Sequence, residues 1–450
     1  MTTDPGSPLS AAPLPLEAGA APLRQRALRG SLWTVASYGV QHALRLGGNI
    51  VLARLLFPEA FGLMTLASVF VQGLNMFSDL GLAPSIIQHR RGADPVFLNT
   101  AWTLQVIRGF ALWICACLLA PLVGSLYGEP VLTQLLPVLG LTALIAGFDS
   151  THLASANRNL LLGRLSLLEL ASYAFGLLVM IAWAWRSPSV WALAAGALAS
   201  SLVKMALSHL VLPGARNRFA WDPEAFRAIR RFGQWILAST ALTFFAGHGD
   251  RVVLGALLDM GALGILGIAA ALAGIANEVL IQVGQKVLFP SYSELVRERP
   301  ERVYAALRRA RLVMLAVGWL ASLALITLGE RLVEVLYDDR YADAGWMLQL
   351  LATGMLVGAI NTSYRGVIVA FGQTFAQASM LAIQVALKFL LVFAGHHLAG
   401  TTGVIAAIAF AGWVSYPVHA FFLSRLSVLQ PEVDLPVVGA AVLVTAFLYL

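Results

Sequence analysis

Between Trp33 and Leu82 the chain reads WTVASYGVQHALRLGGNIVLARLLFPEAFGLMTLASVFVQGLNMFSDLGL. These are two apolar stretches of bilayer-crossing length, joined by the Phe57-Pro58-Glu59 corner. A spanning helix needs about 20 apolar residues, whereas a barrel strand takes about 10 and alternates its character. In lipid every backbone group must be satisfied within its own segment, so these stretches are helices. The whole chain is 59% hydrophobic and 12% charged, which excludes a water-soluble globule with an ordinary polar surface. The expected fold class is an all-α polytopic membrane protein.

The opening hairpin recurs. Slid by 202 residues, Trp33 falls on Trp235, and eleven of the thirty-seven positions from Ser31 to Ala67 are identical without a gap. Asn75 falls on Asn277 at the same offset, and weaker gapped matches pair LYGEP at 126–130 with LYDDR at 336–340. Six spans therefore correspond to six spans. Because six is even, both copies enter from the same side, which predicts two six-helix bundles related by a parallel internal repeat.

Spanning segments fall at 31–56, 60–84, 99–123, 131–152, 165–186, 189–212, 230–257, 261–288, 306–328, 345–369, 374–396 and 401–424. A partial thirteenth, Leu435 to Leu450, has sixteen residues. The expected organisation is a disordered tail at 1–28, a first half at 29–212, a linker at 213–229, a second half at 230–425 and an additional hydrophobic segment at 426–450. Asp222-Pro223 supplies a helix cap and a first-turn proline, opening an interfacial amphipathic helix into span 7. SELVRERPERVYAALRRAR is expected to lie on the membrane surface before span 9.

The net charge of +7 resides between spans, so it orients the protein and does not point to nucleic acid. With the N-terminus in the cytoplasm, Arg90, Arg91, Arg158, Arg164, the cluster Arg216 to Arg231 and the cluster Arg297 to Arg311 share one side. The opposite side receives Glu59, Glu129, Arg186, Asp259 and the acidic 329–345 loop. Cys115 and Cys117 lie two apart in one helix, where side chains diverge, so neither a disulfide nor a metal site is expected.

Span 1 carries Ser37, Gln41, Arg45 and Gly48 on one helical face, with Tyr38, His42 and Asn49 close by. The repeat-equivalent face of span 7 carries Ser239, Thr243, Gly247 and Asp250. Span 2 adds Ser68, Gln72, Asn75 and Asp79; span 8 adds Glu278, Gln282 and Gln285 with Lys286. Such stripes fit a cavity between the halves or close helix packing. Further charges within spans are Arg108, Asp149, Lys204, Arg251, Arg365 and Lys388, each costing at least about 2.5 kcal/mol at the bilayer centre. Near helix ends, snorkelling or capping accounts for Asp79, Asp149, Lys286 and Arg365. Arg45, Lys204, Glu278 and Lys388 lie near mid-span, three cations against one anion, which favours an anionic guest such as a phosphate or diphosphate. The expected substrate-binding set is Gln41, His42, Arg45, Asn49, Arg108, Lys204, Arg251 and Lys388. Glu278, Asp250 and Asp79 are candidates for a coupling H+ or Na+, and no other cofactor is expected.

LARLLFPEAFGLMTLA followed by FSDLGLAPSIIQ, then ANRNLLLGRLSLLELAS, DRVVLGALLDMGALGILGIA, VLFPSYSEL and VAFGQT resemble the signature blocks of the polysaccharide transporter family. These are oligosaccharide flippases of the multidrug/oligosaccharidyl-lipid/polysaccharide exporter superfamily, and the resemblance covers about residues 30–430. It implies that a polyprenyl-diphosphate-linked repeat unit for exopolysaccharide, O-antigen or capsule is flipped across the bacterial inner membrane by alternating access. It also implies polysaccharide polymerase and export proteins as partners. The family depends on charged cavity residues, a role that Arg45, Asp250, Glu278 and Lys388 fit.

Two other readings stay open. A multidrug/cation antiporter needs an acidic pocket, against the cationic surplus. A membrane-embedded glycan polymerase or ligase needs catalytic groups in a sizeable outer loop. The longest such loop, Gly329 to Gly345, offers Arg331, Asp338, Asp339 and Arg340, which read as solvated surface.

Overall fold

The computed structural model describes residues 23–159, 161–214, 216–283, 303–370, 374–425 and 428–449, with 23–38 as backbone only. The expected tail up to residue 22, Gln285, Lys286 and residues 293–302 of the second surface helix lie outside the described residues, as do the side chains of Ser37, Tyr38, Ser239, Gln282 and Arg365.

Among the described residues every regular element is helical, and nine helices are long and apolar enough to cross a membrane. In chain order the helices are α1 (Leu23–Leu55), α2 (Pro58–Phe77), α3 (Leu82–Gln88), α4 (Pro95–Tyr127), α5 (Pro130–Gly147), α6 (His152–Arg158), α7 (Leu162–Arg186) and α8 (Val190–Leu210). The second half continues with α9 (Pro223–Gly247), α10 (Gly249–Leu257), α11 (Met260–Val283), α12 (Val303–Leu336), a 3-10 turn at Asp339–Tyr341, α13 (Ala344–Ala370), α14 (Thr374–Arg425) and α15 (Pro431–Tyr449).

Local chemistry moves several boundaries from those expected. α1 begins at Leu23, within the stretch expected as tail. Span 2 ends at Phe77, where the Ser78 hydroxyl donates to the Leu74 carbonyl at 2.8 Å and Asp79 accepts from the Gly81 amide at 2.8 Å. Gly81 takes a left-handed φ of 61°, which glycine adopts without the Cβ clash other residues meet, and α3 restarts there. Asp222 caps α9 as expected, accepting from the Glu224 amide at 3.1 Å. The surface helix and span 7 are one helix, however, and that helix breaks at His248, whose φ of −133° is non-helical. Spans 11 and 12 run together in α14, across a break at Ala399 and Gly400.

The thirteenth segment is a helix of 19 residues, anchored by a group expected elsewhere. Arg311, expected among the surface arginines, is fully buried and forms an ion pair with fully buried Asp434. It also donates to Ser363 at 3.0 Å and to Gln430 at 3.1 Å, and its guanidinium lies 3.7 Å from the centre of the Tyr364 ring. The Tyr364 and Tyr416 hydroxyls donate to the other Asp434 oxygen at 2.9 and 3.1 Å. A buried ion pair offsets its desolvation only when its remaining hydrogen-bonding capacity is filled, and here it is. α15 is thus tied to α12, α13 and α14 through Arg311, Tyr364 and Tyr416.

The largest apolar core crosses between the halves, joining Leu66 and Ala67 of α2 to Leu263, Leu266 and Ala269 of α11 and Leu348 of α13. The approach is closest near Pro58. A Cβ on Gly62 would stand 1.9 Å from the Met260 carbonyl oxygen, and one on Gly264 would stand 2.0 Å from the Pro58 oxygen. Gly62 and Gly264 are partners under the 202-residue offset, as are Pro58 and Met260, so the contact is reciprocal. Small residues at helix crossings let backbones meet in lipid, where apolar burial alone offers no drive to association.

Candidate functional site

At the Pro58 end, contacts from the 338–341 turn reinforce this seam. α1 ends at Leu55, leaving carbonyls that lack an intrahelical partner. Arg340 donates to the carbonyls of Ala53 at 3.3 Å and Arg54 at 3.0 Å, while Asp338 holds the same guanidinium at 2.5 Å. The Tyr341 hydroxyl donates to the Leu56 carbonyl at 3.0 Å. The hydrogen bonds to Arg340 hold the Asp338 carboxyl below the usual carboxylate range. Asp338 and Arg340 are therefore not the solvated surface expected from the loop's composition; they join the two halves.

The opposite end is organised around the linker, which is bound to the first half. The Asn217 side chain accepts from the Ser150 hydroxyl at 3.0 Å and donates to the Thr151 hydroxyl at 2.7 Å. Ala220 and Asp222 donate their amides to Thr103 and Thr100 at 3.1 and 3.0 Å. Arg91 bridges Asp94, Asp222 and Glu224 at 2.8, 3.0 and 3.1 Å. The Asp222 carboxyl is held low, first by amide bonds at the α9 cap and then by Arg91.

Between these ends the predicted residues separate into groups. Lys388 of α14 pairs with Asp250 of α10 at 2.5 Å, both side chains about one quarter exposed at 25% and 23%. The pair sits directly after the α9–α10 break, with Phe389 packed 3.3 Å from where a Gly249 Cβ would lie. On α1, Arg45 is exposed and lies beside the Tyr173 hydroxyl of α7, with Gln41, His42 and Asn49 half-buried nearby. His42 and Glu278 each engage neighbouring groups. Arg251 is exposed.

Asp79 and Arg108 come together elsewhere, with Asp149, in a cavity of about 260 Å³ inside the first half. Arg108 donates to the Ser78 hydroxyl at 2.9 Å and the Asn75 carbonyl at 2.7 Å. Lys204 approaches Asp149 at 3.6 Å. Burial pushes the Asp149 carboxyl up to about 6, with Lys204 opposing that shift.

The family profile described as "polysaccharide biosynthesis protein" matches residues 51–345 of the chain. The chain belongs to the polysaccharide biosynthesis protein family. Among curated relatives it is 23% identical over 388 residues to the lipopolysaccharide biosynthesis protein WzxC of Escherichia coli K12, covering 85% of this chain and 77% of that one. It is 24% identical over 323 residues to the succinoglycan biosynthesis transport protein ExoT of Rhizobium meliloti, covering 71% and 64%. Its fold matches the lipid II flippase MurJ with a TM-score of 0.69 at 14% identity, covering 92% of this chain and 91% of that one. It also matches an inward-facing MATE multidrug transporter with a TM-score of 0.64 at 16% identity, covering 85% and 93%. With nine candidate spans among its described residues, the chain is a multi-pass membrane protein of this family. The matched region takes in the Gly62–Met260 seam and Arg340, while Arg45 and Lys388 lie outside it.

The sequence reading missed Arg311, Asp434 and Arg340 as structural charges. For Arg311 a signal was present: Leu307, Leu315 and Gly318 lie four before, four after and seven after it, on one apolar face of α12. No local pattern marks the bridging role of Arg340, because its α1 acceptors lie nearly 290 positions earlier.

Proposed function

We propose that this protein flips a lipid-diphosphate-linked oligosaccharide across the bacterial inner membrane, exposing it alternately at the two ends of the interface between its halves. The Lys388–Asp250 pair carries the reading. It is an intramembrane cation held by one carboxylate, partly accessible, at a helix break on the second half. A diphosphate offers such a cation more negative charge than Asp250 does, so the substrate can take Lys388 over as it enters. Arg45, beside a neutral phenol, has its charge available from the first half. Asp250 released in that exchange, together with Glu278, is where a coupling H+ or Na+ would act.

The names of the relatives support this cargo, since they are a lipopolysaccharide biosynthesis protein, a succinoglycan transport protein and, in fold, a lipid II flippase. The arginine-rich linker end is assigned to the cytoplasm by the positive-inside rule, which places the Pro58 seam at the periplasmic face. The fold is shared with a multidrug transporter, but surplus cationic charge at mid-span opposes a cationic drug. A polymerase would need free outer-loop groups, whereas Asp338 and Arg340 are engaged in joining the halves.

Arg45→Ala and Lys388→Ala are each expected to reduce glycan export about tenfold, the loss of one charge-assisted contact, at unchanged protein level. Unchanged export in both variants would overturn the assignment, and energy-dependent efflux of cationic dyes would favour the antiporter.

A further inference from the structure

The cavity in the first half lies apart from the Lys388–Asp250 pair and calls for a ligand of its own. Asp149 is 7% exposed; its Oδ2 faces Lys204 at 3.6 Å, while its Oδ1 has no hydrogen-bond partner among the described residues and lines the cavity. A buried, unpaired carboxylate oxygen costs several kcal/mol unless a donor reaches it. Asp79 spends Oδ1 on the Gly81 amide. Gln105 spends its amide N–H groups on the carbonyls of Ala146, Gly147 and Asp149 at 3.0, 3.2 and 3.0 Å, which leaves its oxygen as an acceptor. Arg108 commits Nε and Nη2 to Ser78 and Asn75, leaving Nη1 without a hydrogen bond among the described residues.

The cavity therefore offers acceptors with two carboxylates and, in the same space, one guanidinium with donors to spare. A bare metal cation is opposed by Arg108, and a simple anion is opposed by Asp79 and Asp149. A zwitterion satisfies both. The location selects which zwitterion. Asp79 and Asp149 lie just past the ends of α2 and α5, two helices long and apolar enough to cross a membrane, and headgroups begin where a spanning helix ends. α4 has 33 residues, about 50 Å at 1.5 Å per residue against a hydrocarbon core of about 30 Å, so its first turns stand outside the core. On α4, Ile107 and Phe110 flank Arg108 and are 54% and 44% exposed, presenting apolar surface to acyl chains next to the cavity. The volume of about 260 Å³ holds roughly eight water-sized groups at about 30 Å³ each, the size of a phosphoethanolamine unit.

We infer that this cavity, walled by Asp79, Arg108 and Asp149, holds the phosphoethanolamine headgroup of a membrane lipid, its phosphate against Arg108 and its ammonium against Asp149. A choline headgroup lacks the N–H that Asp149 requires, and a glycerol headgroup lacks the cation. The site is independent of the transport reading, since it needs neither Arg45 nor Lys388.

The test is native mass spectrometry of the full-length protein released from nanodiscs with equal parts phosphatidylethanolamine, phosphatidylcholine and phosphatidylglycerol. Phosphatidylethanolamine is expected to stay bound preferentially. Asp149→Asn should lower its retention about tenfold, the value of a hydrogen bond to a charged group, with phosphatidylglycerol unchanged. Should Asp149→Asn fail to fold, Asp79→Asn, which keeps the acceptor for Gly81, carries the same expectation. Equal retention of the three lipids, or wild-type retention in both variants, would overturn the inference.

Discussion

The two ends of the interface between the halves both bring backbones together, but they differ in what reinforces the contact. At the linker end a Cβ on Gly233 would stand 2.5 Å from the Leu80 carbonyl oxygen. At the Pro58 end, backbones meet directly over Gly62 and Gly264, and one guanidinium caps the α1 carbonyls from across the seam. Those groups belong to different halves, so a rigid-body separation would part the seam, with water satisfying what Arg340 releases. At the linker end the contacts fasten the linker and the start of α9 to the first half through Asn217, Thr100, Thr103 and Arg91. There the chain cannot part without unstrapping itself. Under the proposed function this difference would place the movable joint beyond the strap, at the α9–α10 break next to Lys388 and Asp250, with the Pro58 seam as the gate.

The comparison breaks most severely at Gly62. Gly62→Val would drive a Cβ into the Met260 carbonyl, an overpacking cost of about 3 kcal/mol, enough to move a sealed population by about two orders of magnitude. In a background with Cys115 and Cys117 changed to serine, a cysteine at Ala60 should pass from protected to reactive toward a membrane-impermeant maleimide. Arg340→Met comes next. It should cost the seam about 2 kcal/mol by leaving charged and carbonyl partners unpaired, giving intermediate labelling of the same cysteine and a lower Tm in detergent.

At the other end, Asn217→Ala should cost about 1 kcal/mol and raise the proteolytic sensitivity of residues 213–222, while Ala60 labelling stays at the wild-type level. A further effect is on pH dependence. Burial raises the folded-state Asp149 carboxyl from 3.8 to about 6, so between these values the folded state holds more protons than the unfolded one. Stability then falls as pH rises through that window. Tm measured from pH 4 to pH 7 should show this slope in the wild-type protein and a flatter profile in Asp149→Asn.

The helices were legible in the sequence because apolar length and a 202-residue echo are local or self-comparing signals, but the opening pair does not fold back on itself: α1 packs against α7 and α2 against α11. The Asp222-Pro223 cap was equally legible, since capping chemistry acts within three residues. What the sequence obscured were breaks and long-range partners. The His248 break has no proline to announce it, and the end of α2 at Phe77 depends on Ser78 and Asp79 turning back on the chain. Of the candidate site residues, type and depth were readable, but grouping was not. Asp250 meets Lys388 across 138 positions, Asp79 and Arg108 share a first-half cavity, and Arg311, grouped by spacing with surface arginines, is buried with Asp434. Each pairing is fixed by helix packing that no local pattern encodes.

The most direct measurement is transport by the purified protein in proteoliposomes, with a polyprenyl-diphosphate-linked oligosaccharide in the inner leaflet and a membrane-impermeant glycan-modifying enzyme outside. The expected result is time-dependent glycan accessibility with the wild-type protein, strongly slowed in Lys388→Ala and in a protein whose Pro58 seam is closed by a disulfide. Accessibility no faster than in protein-free vesicles, or undiminished by closing the seam, would contradict a flippase gated at that end.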